Sequence, residues 1–144
     1  MKKLLIISLI LITLISFGCV DTALDLTGNT ESINESSVRS RWQYTTPFAI
    51  VDWSASGTNL TITILNNTAK ALTLENVSFG EVVTLIEESI SPDSRKVIVI
   101  QNILNCKSGE KYYIASYDIK INYSSDSISD LQQHGVSEIV GTCQ

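Results

Sequence analysis

Histidine, proline and methionine are nearly absent from this chain, with one His, two Pro and one Met in 144 residues. A single histidine, His134, means that any catalytic triad would have to use that one side chain, and no Gly-x-Ser-x-Gly elbow accompanies it. A lone histidine beside a glycine in a polar stretch reads as a solvated loop residue. Metal sites built on several Cys or His are excluded by count. Carboxylates occur at Glu81, Glu87, Glu88, Asp93, Asp126 and Asp130, but no Asp-x-Asp-x-Asp loop gathers them for calcium. Glu87 and Glu88 are adjacent on an expected strand and would face opposite sides, so they are no acid–base pair. Basic residues are scarce too, ten Lys+Arg against fifteen Asp+Glu. With no basic stripe, a nucleic-acid partner is excluded. The expectation is a protein with no catalytic residue, no metal, no cofactor and no enzymatic activity.

What the chain does have begins with an address. Met1-Lys2-Lys3 precedes an apolar run, Leu4 to Phe17, broken only by Ser8, Thr13 and Ser16. A positive start, a short apolar core and small residues behind it are the parts of a signal peptide, here spanning 1–18. A membrane-crossing helix needs about 20 apolar residues, and Asp21 and Asp25 close the run early. Ser16-Phe17-Gly18-Cys19 resembles the lipobox of prokaryotic lipoproteins, in which a small residue precedes a cysteine that becomes lipidated. Phe17 is bulkier than that family carries, and Ile15 stands one place behind its usual aliphatic. The other reading is ordinary cleavage after Gly18, which leaves a free thiol. Of three cysteines, Cys106 and Cys143 lie together in the later chain, and Cys19 is the odd one. The expected partner is therefore the membrane, reached through a lipid on Cys19 or through the N-terminal segment, on the outer side of the cell.

Loss of Lys2 and Lys3 with the leader would take the ten basic residues to eight against fifteen acidic, a formal charge of −7. Residues 19–43 show no sustained period and read as the anchor cysteine and a flexible stalk, with a weak helical pattern near 33–41. Trp42, at the junction, is the aromatic expected to be exposed for contact. From residue 44 to 144 the pattern is strand after strand. Leu60, Ile62 and Ile64 alternate with Asn59, Thr61 and Thr63. Further strands are read at Phe48–Trp53, Ala71–Val77, Glu81–Glu88, Lys96–Leu104, Tyr112–Tyr123 and Val136–Cys143. Val97-Ile98-Val99-Ile100 is apolar on both faces and reads as a central, covered strand. Tyr117, Ile119, Ile121 and Tyr123 share the inward parity, and Ser124–Gln133 reads as a polar loop or short helix. Asn66–Lys70 reads as a hairpin loop. About seven short strands in about 100 residues give an all-β fold, an immunoglobulin-like two-sheet sandwich.

A Cys106–Cys143 bridge would close a loop of roughly 37 residues, worth about 4 kcal/mol in the chain-entropy model. Five asparagines, Asn34, Asn59, Asn66, Asn76 and Asn122, fit the Asn-x-Ser/Thr glycan-acceptor pattern.

Pro47-Phe48-Ala49-Ile50, Trp53, the run Ser56 to Ile64 and Asn66-Asn67-Thr68 together resemble the C-terminal β-domain of archaeal type IV pilin-like surface proteins. Cys106, Gly109, Tyr112, Tyr117, Ile119, Ile121, Tyr123 and the closing His134-Gly135-Val136 with Ile139 and Gly141 extend the resemblance over about 100 residues. It implies a surface β-domain. Those pilins keep their hydrophobic helix, whereas here the apolar segment ends at Cys19, so the resemblance implies a shared domain on a different anchor. The function expected is a surface-displayed, non-enzymatic lipoprotein for envelope structure, adhesion or protein–protein contact. The alternatives are an extracytoplasmic module binding sugar or peptide, and a minor pilin-like subunit.

Overall fold

The period-two pattern governs most of the chain. The computed structural model describes residues 34–144, and in that span it is an all-β sandwich of nine strands with one short helix. The expected signal segment, Cys19 and the expected stalk up to residue 33 lie outside the described residues. Strands β1 (Phe48–Ser56), β2 (Asn59–Asn66) and β5 (Arg95–Ile100) make one sheet in the order β1-β2-β5. Strands β3 (Leu72–Phe79), β4 (Val82–Ile90), β7 (Ile119–Ser125) and β8 (Ile128–His134) make the second, ordered β4-β3-β7-β8. A two-stranded pair, β6 (Lys111–Ile114) and β9 (Ile139–Thr142), completes it. Every strand pair is antiparallel.

The core follows from strand parity. Phe48, Ile50, Trp53, Leu60, Ile62, Ile64, Ile98 and Ile100 from one sheet meet Leu72, Leu74, Val77, Phe79, Ile119 and Ile121 from the other. A buried amide completes this core: Gln133 of β8 accepts from the Phe48 backbone N–H at 3.0 Å and donates to its carbonyl at 2.7 Å. It completes the backbone pairing of β1 where no strand lies alongside, which is why a polar residue sits at an inward position.

Several expectations are corrected. Residues 66–70 are no hairpin, because β2 and β3 belong to different sheets and this segment crosses between them. Asn66 holds that crossing: its Nδ2 donates to the carbonyls of Lys70 and Ile90, both at 2.8 Å, and its Oδ1 accepts from Thr68 N and Oγ1. The expected long strand Tyr112–Tyr123 is two strands, β6 and β7, separated by a 3-10 turn at Ser116–Asp118. There the chain leaves the small sheet for the large one, and Gly80 N–H donates to Asp118 O to fix the step. The break inverts parity, so Tyr117 is 77% exposed instead of inward. Ser124–Gln133 holds no helix; it contains the end of β7, a tight turn and most of β8. β8 escapes a hydrophobic reading because it is an edge strand whose only well-buried residue is Gln133.

The weak helical pattern near 33–41 corresponds to a helix, and only the expectation of a flexible stalk is corrected there. Glu35–Gln43 is a helix, α1, with Asn34 as its N-cap accepting from Ser36 N–H. Its only apolar residues, Val38 and Trp42, stand four apart and so share one face, and both are buried. Trp42, expected to be exposed, is 0% exposed and donates from Nε1 to Glu138 O of the segment entering β9. The domain therefore begins with this helix and not at residue 44.

Candidate functional site

A β-sandwich meets partners through its edges, its outer faces or the loops at its ends. The edges divide sharply. On β1, Val51 is an extra residue between the Ile50–Ile64 and Asp52–Thr63 pairs, and α1 and β9 pack beside the strand. On β4, Ile86 and Glu87 stand opposite the single Glu75, with Glu87 at φ 50°. On β8, Ser129 and Asp130 oppose Ser124, with Asp130 at φ 56°. Each of these is a β-bulge, a device that twists an edge away from intruding strands. The β2–β5 register has no such shift. β5 was expected to be central and covered. It is instead a regular edge strand, with Val97 60% and Val99 47% exposed. Its apolar outer face is open, and that is the correction its sequence most needed.

Charges guard one end of this edge. Arg95 is exposed, and Lys96 pairs with Glu88 across the β4–β5 turn. Beyond Lys96 the strand carries no charge. Val83 and Leu85 of β4 are exposed as well, on the outer face of the other sheet, so both flanks of the β4–β5 side are apolar.

Across β3, β7 and β8 the outer face of the four-stranded sheet carries a row of amides. Gln132 Nε2 donates to Asn122 Oδ1 at 2.8 Å, and Asn122 Nδ2 donates to Asn76 Oδ1 at 2.7 Å. The expected acceptor asparagines thus differ. Asn34 is exposed at the helix start and Asn59 is half-buried at the head of β2. Asn76 and Asn122 are linked side chain to side chain within the sheet. Asn66 is completely buried with both ends of its amide engaged, and the fold has no room for a glycan there.

Around α1, Arg39 makes a clamp. Its Nη1 reaches Asp52 at 2.7 Å, its Nη2 reaches Glu35 at 2.8 Å and the Trp53 carbonyl at 3.0 Å, and its guanidinium lies 4.2 Å from the Trp53 ring centre. Burial works against its charge, but the hydrogen bonds to Glu35 and Asp52 outweigh that and raise its pKa. Trp53 in turn donates from Nε1 to Val140 O at 2.8 Å. Every partner in this set is occupied in holding α1, β1 and β9 together. It is a structural joint.

A groove of about 330 Å³ lies between the β3–β4 turn, the segment after β5 and the 3-10 turn. Phe79, Ile103, Leu104 and Ile114 line it with Tyr113, Tyr117 and Asp118. Trp42 is not part of it. His134 lies exposed at the end of β8, paired across the sheet with Lys120. Among the described residues no group of three or more His, Cys, Asp or Glu could hold a metal ion, and no helix is long and apolar enough to cross a membrane.

Beyond an apolar run, nothing in the residue pattern marks the open edge, and nothing marks the amide row. Cys106 and Cys143 are brought together as a disulfide, with their Cα atoms 6.1 Å apart. No family model, curated protein or solved structure matches the chain.

Proposed function

We propose that this protein is a non-enzymatic contact module displayed on the outer face of the cell membrane, tethered through Cys19, and that it binds a protein partner along β5. The observation that carries the reading is β5, a regular edge strand of the three-stranded sheet, with Val97 and Val99 exposed along it. The signal-like run before Cys19 and the resemblance to pilin-like surface domains support the address. An extended partner strand would gain backbone hydrogen bonds along β5 and cover the valines, the usual chemistry of strand addition.

The test is crosslinking on membranes isolated from cells expressing the full chain. A chain with Val97→Lys and Val99→Lys should lose its adducts while remaining folded, because both positions are exposed. Adducts unchanged by those substitutions would refute the edge as the contact surface. Cys19→Ser should move the protein from the membrane fraction to the soluble one, and unaltered retention would count against the lipid anchor.

A second reading rests on the groove beside Tyr113 and Tyr117, whose exposed rings and apolar floor suit a peptide or sugar ligand. Tyr117→Ala would abolish ligand-induced tyrosine fluorescence changes under that reading and leave β5 adducts intact.

A further inference from the structure

β5 offers an unbroken row of backbone groups on its open side. Asn66 N–H donates to Ser94 O at 3.1 Å, which makes that position a hydrogen-bonded one in the ladder continuing into β5. In an antiparallel ladder bonded and non-bonded pairs alternate. With the unbroken register Leu65–Arg95 to Leu60–Ile100, Lys96, Ile98 and Ile100 therefore bond to β2. Arg95, Val97 and Val99 direct their N–H and C=O groups to the open side. Among the described residues no strand pairs there.

We propose that the strand completing this edge is β5 of a second copy of the chain, joined antiparallel about Ile98. The inference rests on the contact-module reading and names its partner. A two-fold axis through an antiparallel pair sets residue i opposite its own equivalent, and here outward-aimed groups must meet outward-aimed groups. Centring on Ile98 meets that condition. Val97 then lies opposite Val99 of the second copy, and Val99 opposite Val97. Lys96 lies opposite Ile100, so the basic starts of the two strands stand at opposite ends and no like charges face each other. The four valines become one continuous patch of β-branched cross-strand pairs, the favoured content of such positions. The two three-stranded sheets become a single sheet of six.

The contact is small. Five paired residues and four valines fall in the low range of interface size, so the pairing is reversible in solution. Tethering both copies to one membrane raises their effective concentration and favours it.

The experiment uses the full chain in isolated membranes, expressed as two differently tagged forms, Val97→Cys and Val99→Cys, under mild oxidation. Opposed residues have Cα atoms about 5.5 Å apart, within disulfide reach, whereas diagonal neighbours lie about 7–8 Å apart. Co-expression should give a mixed dimer at least about tenfold above either form alone, with the new bond mapped to positions 97 and 99. The unsubstituted chain measures whatever Cys19 contributes. Chains carrying Val97→Lys and Val99→Lys should lose co-precipitation of the two tagged forms at unchanged thermal midpoint. A 97–97 bond as strong as the mixed one would overturn the register and with it the two-fold pairing. An adduct to a different protein, or a disulfide to Cys19 of the same chain, would overturn the second copy as partner. The former leaves the contact reading standing, whereas absence of any β5-dependent adduct removes both.

Discussion

Tyr112 shows how one side chain carries both packing and a pH response. Its ring lies over Gly141, where an added Cβ would come within 2.6 Å of the phenolic oxygen, so only glycine fits beneath it. Burial, with the Glu35 carboxylate adding to it, pushes the phenol up to about 12 from the ordinary value near 10. The folded state therefore holds the neutral phenol more firmly than the unfolded chain does. The resulting stability is fully present below about pH 10 and is lost as pH rises through about 12, in total about 2–3 kcal/mol. Tyr112→Phe removes this response. Urea midpoints at about pH 9 and pH 11.5 should fall less in the variant than in the parent, and an equal fall would show that other groups control alkaline unfolding. At this scale the sequence was uneven. Leu60, Ile62 and Ile64 declare their burial by alternation, but Asn66 reads as a loop residue and is buried at 0% exposure. Its hydrogen-bond partners Lys70 and Ile90 come from two different segments, and no local pattern encodes that meeting.

Among the elements, α1 is the one whose importance the sequence understates. It has two apolar residues in nine, and its moment is weak because the remainder is Ser, Arg, Glu and Gln. Most helical stability in proteins comes from packing of one face, and here that face is Val38 and Trp42 wedged against β1 and β9. Trp42→Ala should cost about 3–5 kcal/mol by emptying a fully buried site, read from urea unfolding. Gln43→Ala, at an exposed position of the same helix, should stay within about 0.5 kcal/mol. A near-neutral Trp42→Ala would return the helix to the stalk. The strands were legible where one face is wet and the other dry. β5 was misread because an edge strand with outward valines and a central strand covered on both faces have the same composition; pairing partners, which differ, lie far away in sequence. β8 was missed for the converse reason, since its inward Gln133 satisfies backbone groups of β1 and leaves no apolar alternation to see.

Over the whole molecule, the disulfide joins parts that the sheets leave loosely connected. Cys106 follows β5 and donates its N–H to Gly57 O in the β1–β2 turn, while Cys143 follows β9 and donates its N–H to Glu110 O. The pairing was legible from cysteine count alone; that it would fasten a separate two-stranded sheet was not, because the apolar run Tyr112–Ala115 hides the parity change at Ser116–Asp118 that creates this sheet. Closing a loop of 37 residues constrains the unfolded chain by about 4 kcal/mol, a large part of the 5–15 kcal/mol typical of a domain. Replacing both cysteines by serine should lower global stability by roughly that amount. An effect confined to the unfolded chain would lower the protection of all globally exchanging amides equally. The pair β6–β9, however, has only four residues on each side, and α1 reaches β9's entry through the Trp42 bond to Glu138. Hydrogen exchange should therefore show extra loss in Lys111–Ile114, Ile139–Thr142 and α1, beyond the loss in β2, β3 and β7. A uniform decrease would mean that core packing alone holds the small sheet in place, and that the bridge acts only on the unfolded state.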